Sequence, residues 1–262
     1  MAISTLDGYI GSAKQIVLQR KTASITAVKL MITSPFAAAG VPGAGTLAGT
    51  NATTGVVQTD ALAGYPVIGA FTGAAGYITR LTGYNSVSST IMLVDSLLKM
   101  GTFTFNASVS GLTSADISAR VPANGYGGLE IWIEAVTAHT GYQTITVTYL
   151  DGNGVARTTG AIATATAPKV GQVFRMPLAA AGYGVKTITG VTSAVSTAGT
   201  FNILIVRPLA YMRIPFIAYS ESRDLYGTGM PQIYEDSALA VFVRPDSTAT
   251  GLPEWEIEIA NA

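Results

Sequence analysis

Cysteine is absent from this chain, and histidine occurs once, as His139, in 262 residues. The first absence excludes disulfides and thiolate metal sites. The second leaves any Ser-His-Asp triad or imidazole metal centre resting on a single residue. Charge is scarce too: Asp, Glu, Lys and Arg make up 11% of the sequence, where a soluble protein usually has about 25%. Formal net charge is zero, so nothing draws the whole chain towards nucleic acid or an anionic membrane. Its longest apolar runs, such as residues 91–94 and 203–206, fall far short of the roughly 20 residues of a membrane-crossing helix. No basic stretch followed by an apolar one opens the N-terminus, so no secretory signal is expected.

What is present is apolar, small and hydroxyl-bearing: hydrophobic residues reach 48%, and there are 29 glycines. That is ample for a core and leaves a largely neutral surface, suited to standing contact with other protein. Residues 1–100 carry six Lys or Arg against three Asp or Glu, and residues 201–262 carry four against eight. Two such ends could meet head to tail between subunits.

Along the chain the first hundred residues differ from the rest. Ile3, Leu6, Ile10, Ala13 and Val17 recur at helical spacing, weakened by Gly8 and Gly11, which allows a short helix or an extended arm. Residues 23–32 suggest a strand. Residues 35–55 are a Gly/Ala/Pro/Thr run without period, a surface loop or an arm ordered against a partner. Residues 88–101 predict a helix, with Ser89 or Thr90 as cap, a stripe of Ile91, Val94, Leu97 and Leu98, and Gly101 as stop.

From residue 102 strand follows strand. Residues 144–149 alternate Ile145, Val147 and Tyr149 with threonines, and residues 254–259 alternate Trp255, Ile257 and Ile259 with Glu254, Glu256 and Glu258. Asp151-Gly-Asn-Gly154 marks a hairpin turn. Further strands are expected at 102–109, 129–136, 155–163, 173–178, 185–191, 201–209 and 239–244. The predicted fold is mainly β: an antiparallel two-sheet sandwich, jelly-roll-like, with one or two short helices and a Gly/Ala-rich loop in the N-terminal part. The expected division is an N-terminal arm, loop and helix region over 1–100 and a β-sandwich domain over 101–262.

Chemistry is hard to find. Gly43, Gly45 and Ala48 fit the Gly-x-Gly-x-x-Ala dinucleotide fingerprint by letter, without the flanking strand and helix its phosphate grip requires. His139 sits in a segment that suggests a surface loop. Asp151 and Asn153 resemble the start of a calcium loop but lack its distal ligands, so a turn explains them better. Glu221, Asp224, Glu235 and Asp236 could form a carboxylate pair or bind a cation, although Arg223 lies beside them. No cofactor, metal site or catalytic residue is assigned. Basic residues are scattered, with Arg20-Lys21 the one adjacent pair, which gives no footprint for nucleic acid.

Contact with protein is better supported. Tyr211, Phe216, Tyr219, Tyr226 and Tyr234 fall in a stretch of little periodicity. They could form a subunit-contact or sugar-stacking platform, or cover the open end of the sandwich. With Ile3, Leu6, Ile10, Arg20 and Lys21 they are the candidate interface residues. Residues 1–21 and 35–55 are expected to be mobile alone and to make contacts between subunits.

Four runs carry a resemblance: Gly125-Tyr-Gly-Gly-Leu-Glu-Ile-Trp-Ile-Glu134, Gly199-Thr-Phe-Asn-Ile-Leu-Ile-Val-Arg-Pro208, Gly227-Thr-Gly-Met-Pro-Gln-Ile-Tyr-Glu-Asp-Ser237 and Thr250-Gly-Leu-Pro-Glu-Trp-Glu-Ile-Glu-Ile259. Over about residues 100–262 the chain resembles structural proteins of tailed-bacteriophage virions, of the capsid decoration (cement) type. The resemblance implies a non-enzymatic virion component, made in the host bacterial cytoplasm. It would act as a homo-oligomer such as a trimer and contact the major capsid protein or other virion proteins. A receptor- or glycan-binding tail or fibre protein, or another head or tail component, is the alternative.

Overall fold

The computed structural model describes residues 5–73, 75–106, 108–122, 125–139, 144–164, 168–193 and 198–261. The strands that carry the architecture are β1 (Lys14–Lys21), β2 (Ile32–Thr33), β3 (Gly76–Asn85), β4 (Ser89–Thr104), β5 (Glu130–Ala135), β6 (Thr144–Leu150), β7 (Gln172–Arg175), β8 (Thr187–Ser193), β9 (Thr200–Ile214), β10 (Tyr219–Arg223), β11 (Leu239–Pro245) and β12 (Glu254–Asn261). Two short helices, α1 (Leu6–Gly11) and α2 (Leu225–Thr228), complete the frame.

Six antiparallel strands close on themselves in the order β9-β5-β7-β2-β11-β4, because β4 also pairs with β9. Every barrel strand sends side chains inward: Ile32, Met92, Val94, Trp132, Val173, Leu204, Val206, Ala240 and Phe242 form one cluster. Trp132 meets Phe242 edge to face with ring centroids 5.0 Å apart, an arrangement favoured by the ring quadrupoles. The outer faces of the barrel are apolar too, and each is covered by a sheet. On one side Ile131, Ile133, Ile203 and Ile205 pack against Ile145, Val147 and Tyr149 of β6 and Ile188 and Val191 of β8. On the other, Ile91, Leu93, Leu239, Val241 and Val243 pack against Val17 of β1, Ile78 and Leu81 of β3, and Trp255, Ile257 and Ile259 of β12. Each fully buried Val, Leu or Ile contributes about 1.5–3 kcal/mol, so three stacked cores hold the molecule.

The mainly-β, antiparallel expectation holds, with 46% of residues in strands and 5% in helices. A two-sheet sandwich does not describe it: a closed barrel lies between two sheets. The largest correction is the helix expected over 88–101, which is the barrel strand β4. Its even-numbered Met92 and Val94 face the interior while Ile91 and Leu93 face the neighbouring sheet. With both faces buried no polar alternation remains to mark a strand. The strand expected over 23–32 shrinks to the two residues of β2.

Neither N-terminal segment is a free arm. β1 pairs along its length with β12 and buries Val17, so residues 14–21 belong to the sheet. In the 35–55 run Phe36, Ala38 and Leu47 are buried, and Gly49 N donates to Asn202 Oδ1 at 2.9 Å. This loop covers one end of the barrel. The border expected at residue 100 falls inside β4, and β1 and β3 pair with β12 across it. The basic and acidic ends therefore meet within one chain, where Arg20 lies 3.4 Å from Glu254.

Candidate interaction surface

The connection between β9 and β10 is a short turn, in which Ala218 takes a left-handed φ of 56°. Residues on either side have no sheet to cover them, so Phe216 and Ile217 project with 68% and 76% of their surface exposed. Tyr219, first in β10, sets its ring edge to face against Phe216 with centroids 6.1 Å apart. Together they make a compact apolar tip. Sequence reasoning named Phe216 and Tyr219 but missed Ile217; two bulky apolar residues in a tight turn are the signal that marks it.

The other tyrosines scatter. Tyr226 is 91% exposed on α2, beyond the far end of β10 from the tip. Tyr234 is half-buried, its hydroxyl donating to Val121 O at 2.9 Å. Tyr211 lies on β9, where burial and then the Glu130 charge raise its phenol pKa while Arg175 opposes them. The single platform expected from the sequence is thus one tip and three separate residues.

At the N-terminal side Leu6 and Ile10 are each 65% exposed on α1. The helix is capped by Thr5 and held down by Tyr9, whose hydroxyl donates to Glu258 Oε1 at 2.9 Å. Register places Ile16, Leu18 and Arg20 of β1 beside Glu258, Glu256 and Glu254 of β12 on one outward face. Ile16 and Leu18 are exposed there, so an apolar strip borders a ladder of carboxylates that Arg20 and Arg80 partly neutralise. Ile3 lies outside the described residues. Lys21 is not on this surface: alternation turns it inward, its side chain is fully buried, and Nζ donates to Phe36 O and Ala38 O at 3.2 Å each. It is corrected from an interface residue to a buried tie between β1 and the loop.

The acidic residues do not assemble into a site. Asp224 caps α2, Glu221 lies 3.8 Å from Arg223, Glu235 accepts from Phe71 N at 3.3 Å, and Asp236 lies 3.8 Å from Arg120. Among the described residues no three His, Asp or Glu side chains are grouped to hold a metal ion. Asp151 is a turn residue as expected: its carboxylate accepts from Asn153 N and Val155 N and pairs with Arg157 at 3.0 Å, with Gly154 at φ 76°. His139 is corrected from a surface loop to a buried position, its Nε2 2.8 Å from Thr164 Oγ1 and its ring 3.9 Å from that of Phe105.

Two buried polar centres went unnoticed in the sequence. Asp95 on β4 is enclosed by Arg120, Arg207 and Ser237. At the loop-covered end of the barrel lie Lys99, Glu134 and Asn202, all buried. Their signal is simply a charged or amide residue at a buried strand position, Asp95 on the outer, sheet-covered face of the barrel and Lys99, Glu134 and Asn202 on its inner face, legible only once the strand register is known.

No family model matches the chain, and no curated protein matches it. Among solved structures it is similar to one of the infectious bursal disease virus Gx strain, at 11% identity and a TM-score of 0.15 over 95% of this chain and 80% of that one. It is similar also to the VP2 subviral particle of infectious bursal disease virus, at 9% identity and a TM-score of 0.19 over 96% of this chain and 81% of that one. TM-scores of this size do not establish a shared fold, and neither structure is of a tailed-phage decoration protein.

No helix among the described residues is long and apolar enough to cross a membrane.

Proposed function

We propose that the chain is a non-enzymatic structural protein of a virion, a capsid decoration protein that binds the assembled phage shell as a homo-oligomer such as a trimer. The observation that carries this reading is the apolar tip of Phe216, Ile217 and Tyr219, left bare on a chain with little surface charge. Contiguous exposed apolar groups mark protein contact sites, and aromatic anchors dominate such contacts. The three-core body gives the tip a rigid support. Many equivalent contacts on a shell would add through multivalency.

The test is cosedimentation of the purified protein with shells that lack it. The parent chain is expected to pellet with shells, and the double variant Phe216→Ser, Ile217→Ser to remain in the supernatant. Equal pelleting of both would remove the tip from the interface. Tyr226, at 91% exposure, favours a second reading as a tail or fibre protein that stacks a sugar ring. Binding of the parent chain to host-surface glycans, lost in Tyr226→Ala, would decide for that reading.

A further inference from the structure

Lys99, Asn202 and Glu134 lie on three neighbouring barrel strands and face the same way. Lys99 is opposite Leu204 in the β4–β9 ladder, and Asn202 is two residues from Leu204 on the same face. Glu134 is directly opposite Asn202 in the β5–β9 ladder. Lys99 and Asn202 are thus close cross-strand neighbours, at a register shift between Phe201 and Ile203 that leaves Asn202 without a direct partner on β4. Their side-chain nitrogens already converge on one atom: Leu47 O accepts from Lys99 Nζ at 3.4 Å and from Asn202 Nδ2 at 2.7 Å.

The amide is held as an acyl donor would be. Its Oδ1 accepts from Gly49 N at 2.9 Å, and its Nδ2 donates to Glu134 Oε2 at 2.9 Å. A backbone N–H on Oδ1 stabilises negative charge that develops there when Cγ is attacked. The Glu134 carboxylate that accepts from Nδ2 is placed, once it has taken up the amine's proton, to return that proton to Nδ2 as it leaves. The amine is prepared as well. Burial lowers the Lys99 pKa, with the Glu134 charge opposing it, and the neutral amine is the nucleophile. Among the described residues no carboxylate lies within ion-pair distance of Nζ; its hydrogen-bond partners are the carbonyls of Thr46 and Leu47.

We propose that Lys99 and Asn202 join in an intramolecular isopeptide bond, with Glu134 as the proton carrier. The Nζ lone pair adds to Cγ, forming the C–N bond. Addition bonds both nitrogens to Cγ, which brings Nζ beside the carboxylate that holds Nδ2. Glu134 then takes a proton from Nζ and passes it to Nδ2, the Cγ–Nδ2 bond breaks, and one ammonia leaves. No oxidant or co-reactant is consumed. A half-open cavity of about 280 Å³, lined by Phe36, Thr46, Gly49, Val56, Gln58 and Lys99, gives the ammonia a way out. The reaction occurs once per chain, and the product is a cross-link between β4 and β9, useful to a protein that bears load. It does not depend on which surface the chain docks with.

Intact-protein mass spectrometry of the purified, folded chain tests this. The expected mass is below that of the sequence by about 17 Da, one ammonia. In a tryptic digest residues 81–120 stay uncut at Lys99 and joined to residues 187–213. Lys99→Arg and Glu134→Gln are expected to show the full mass. Asn202→Asp can react only with loss of water, about 18 Da. A parent chain of full mass overturns the proposal, as does a loss of ammonia without the joined peptides, which would report cyclisation of an asparagine, for example Asn153 before Gly154. Cross-linked Glu134→Gln would remove Glu134 from the reaction.

Discussion

Asp95 of β4 and Arg120, 25 residues further along, form an ion pair in which neither side chain keeps more than 3% of its exposure. The same carboxylate takes Arg207 Nη2 at 3.1 Å and Ser237 Oγ at 3.0 Å. Arg120 also donates to Gln58 O and Ser96 O, so one carboxylate ties β4 to the 58–65 loop, to β9 and to the turn before β11. Removing one partner of a buried pair leaves the others charged and unpaired, which typically costs about 3–5 kcal/mol. Asp95→Asn is expected to lose stability in that range by chemical denaturation. Asp236→Asn, at the half-exposed carboxylate 3.8 Å from Arg120, should lose no more than about 1 kcal/mol. Equal losses would mean that the network is governed from its exposed side.

His139→Ala is expected to lower stability by about 2 kcal/mol, in the range of core substitutions. The ring fills space against Phe105 at 3.9 Å and reaches Thr164, so truncation leaves a cavity. Thermal unfolding checks this, and an unchanged midpoint would return the residue to the surface role its sequence context suggests.

Legibility followed burial. Residues 144–149 and 254–259 were readable as strands because each has one buried face, so Tyr149 and Trp255 alternate with polar neighbours. β4 was not, because Ile91, Met92, Leu93 and Val94 are all buried, half in the barrel and half outside it. A continuous apolar run fits helix and strand alike, and Ser89 and Gly101 then imitated helix ends. The same misreading hid Asp95 and Lys99. Their partners Arg207 and Leu47 lie 112 and 52 residues away, a pairing no local pattern encodes. The barrel closed through the two-residue strand β2 was equally invisible, whereas Leu6, Ile10, Phe216 and Tyr226, named as contact candidates, lie exposed where no core claims them.

Lys21 should leave a pH signature. Burial lowers its amine to about 8 from an ordinary value of 10.5. Between those values the unfolded chain holds the proton and the folded chain does not, so this group makes unfolding free energy rise with pH from about 8 to about 10.5. Below pH 8 the cost of burying it is present in full. In Lys21→Met that contribution vanishes. Stability of the parent minus that of the variant is therefore expected to climb across this window, by at most about 1.4 kcal/mol per pH unit. Subtraction cancels tyrosines and other lysines that titrate nearby. A flat difference would mean that Lys21 keeps its proton in the folded state.

The tip at Phe216 and Ile217 should separate association from folding. Both side chains are mostly exposed and belong to none of the three cores, so the chain loses little by their removal. Phe216→Ser with Ile217→Ser is expected to shift the unfolding free energy by no more than about 0.5 kcal/mol, as surface changes do. The Phe216 ring also covers one edge of Tyr219, and its loss exposes a hydroxyl-bearing ring that water tolerates. Between subunits the effect should be larger, because aromatic anchors at the centre of an interface commonly carry 2 kcal/mol or more, a loss of roughly 30-fold in affinity. Sedimentation velocity across a concentration series measures this: the parent chain is expected to associate, and the double variant to remain a monomer at concentrations where the parent does not. A variant that associates as the parent does would take the subunit contact away from the tip; the exposed apolar residues Leu6, Ile10, Ile16 and Leu18 are the next candidates, and Leu6→Ser with Ile10→Ser should then have the effect instead.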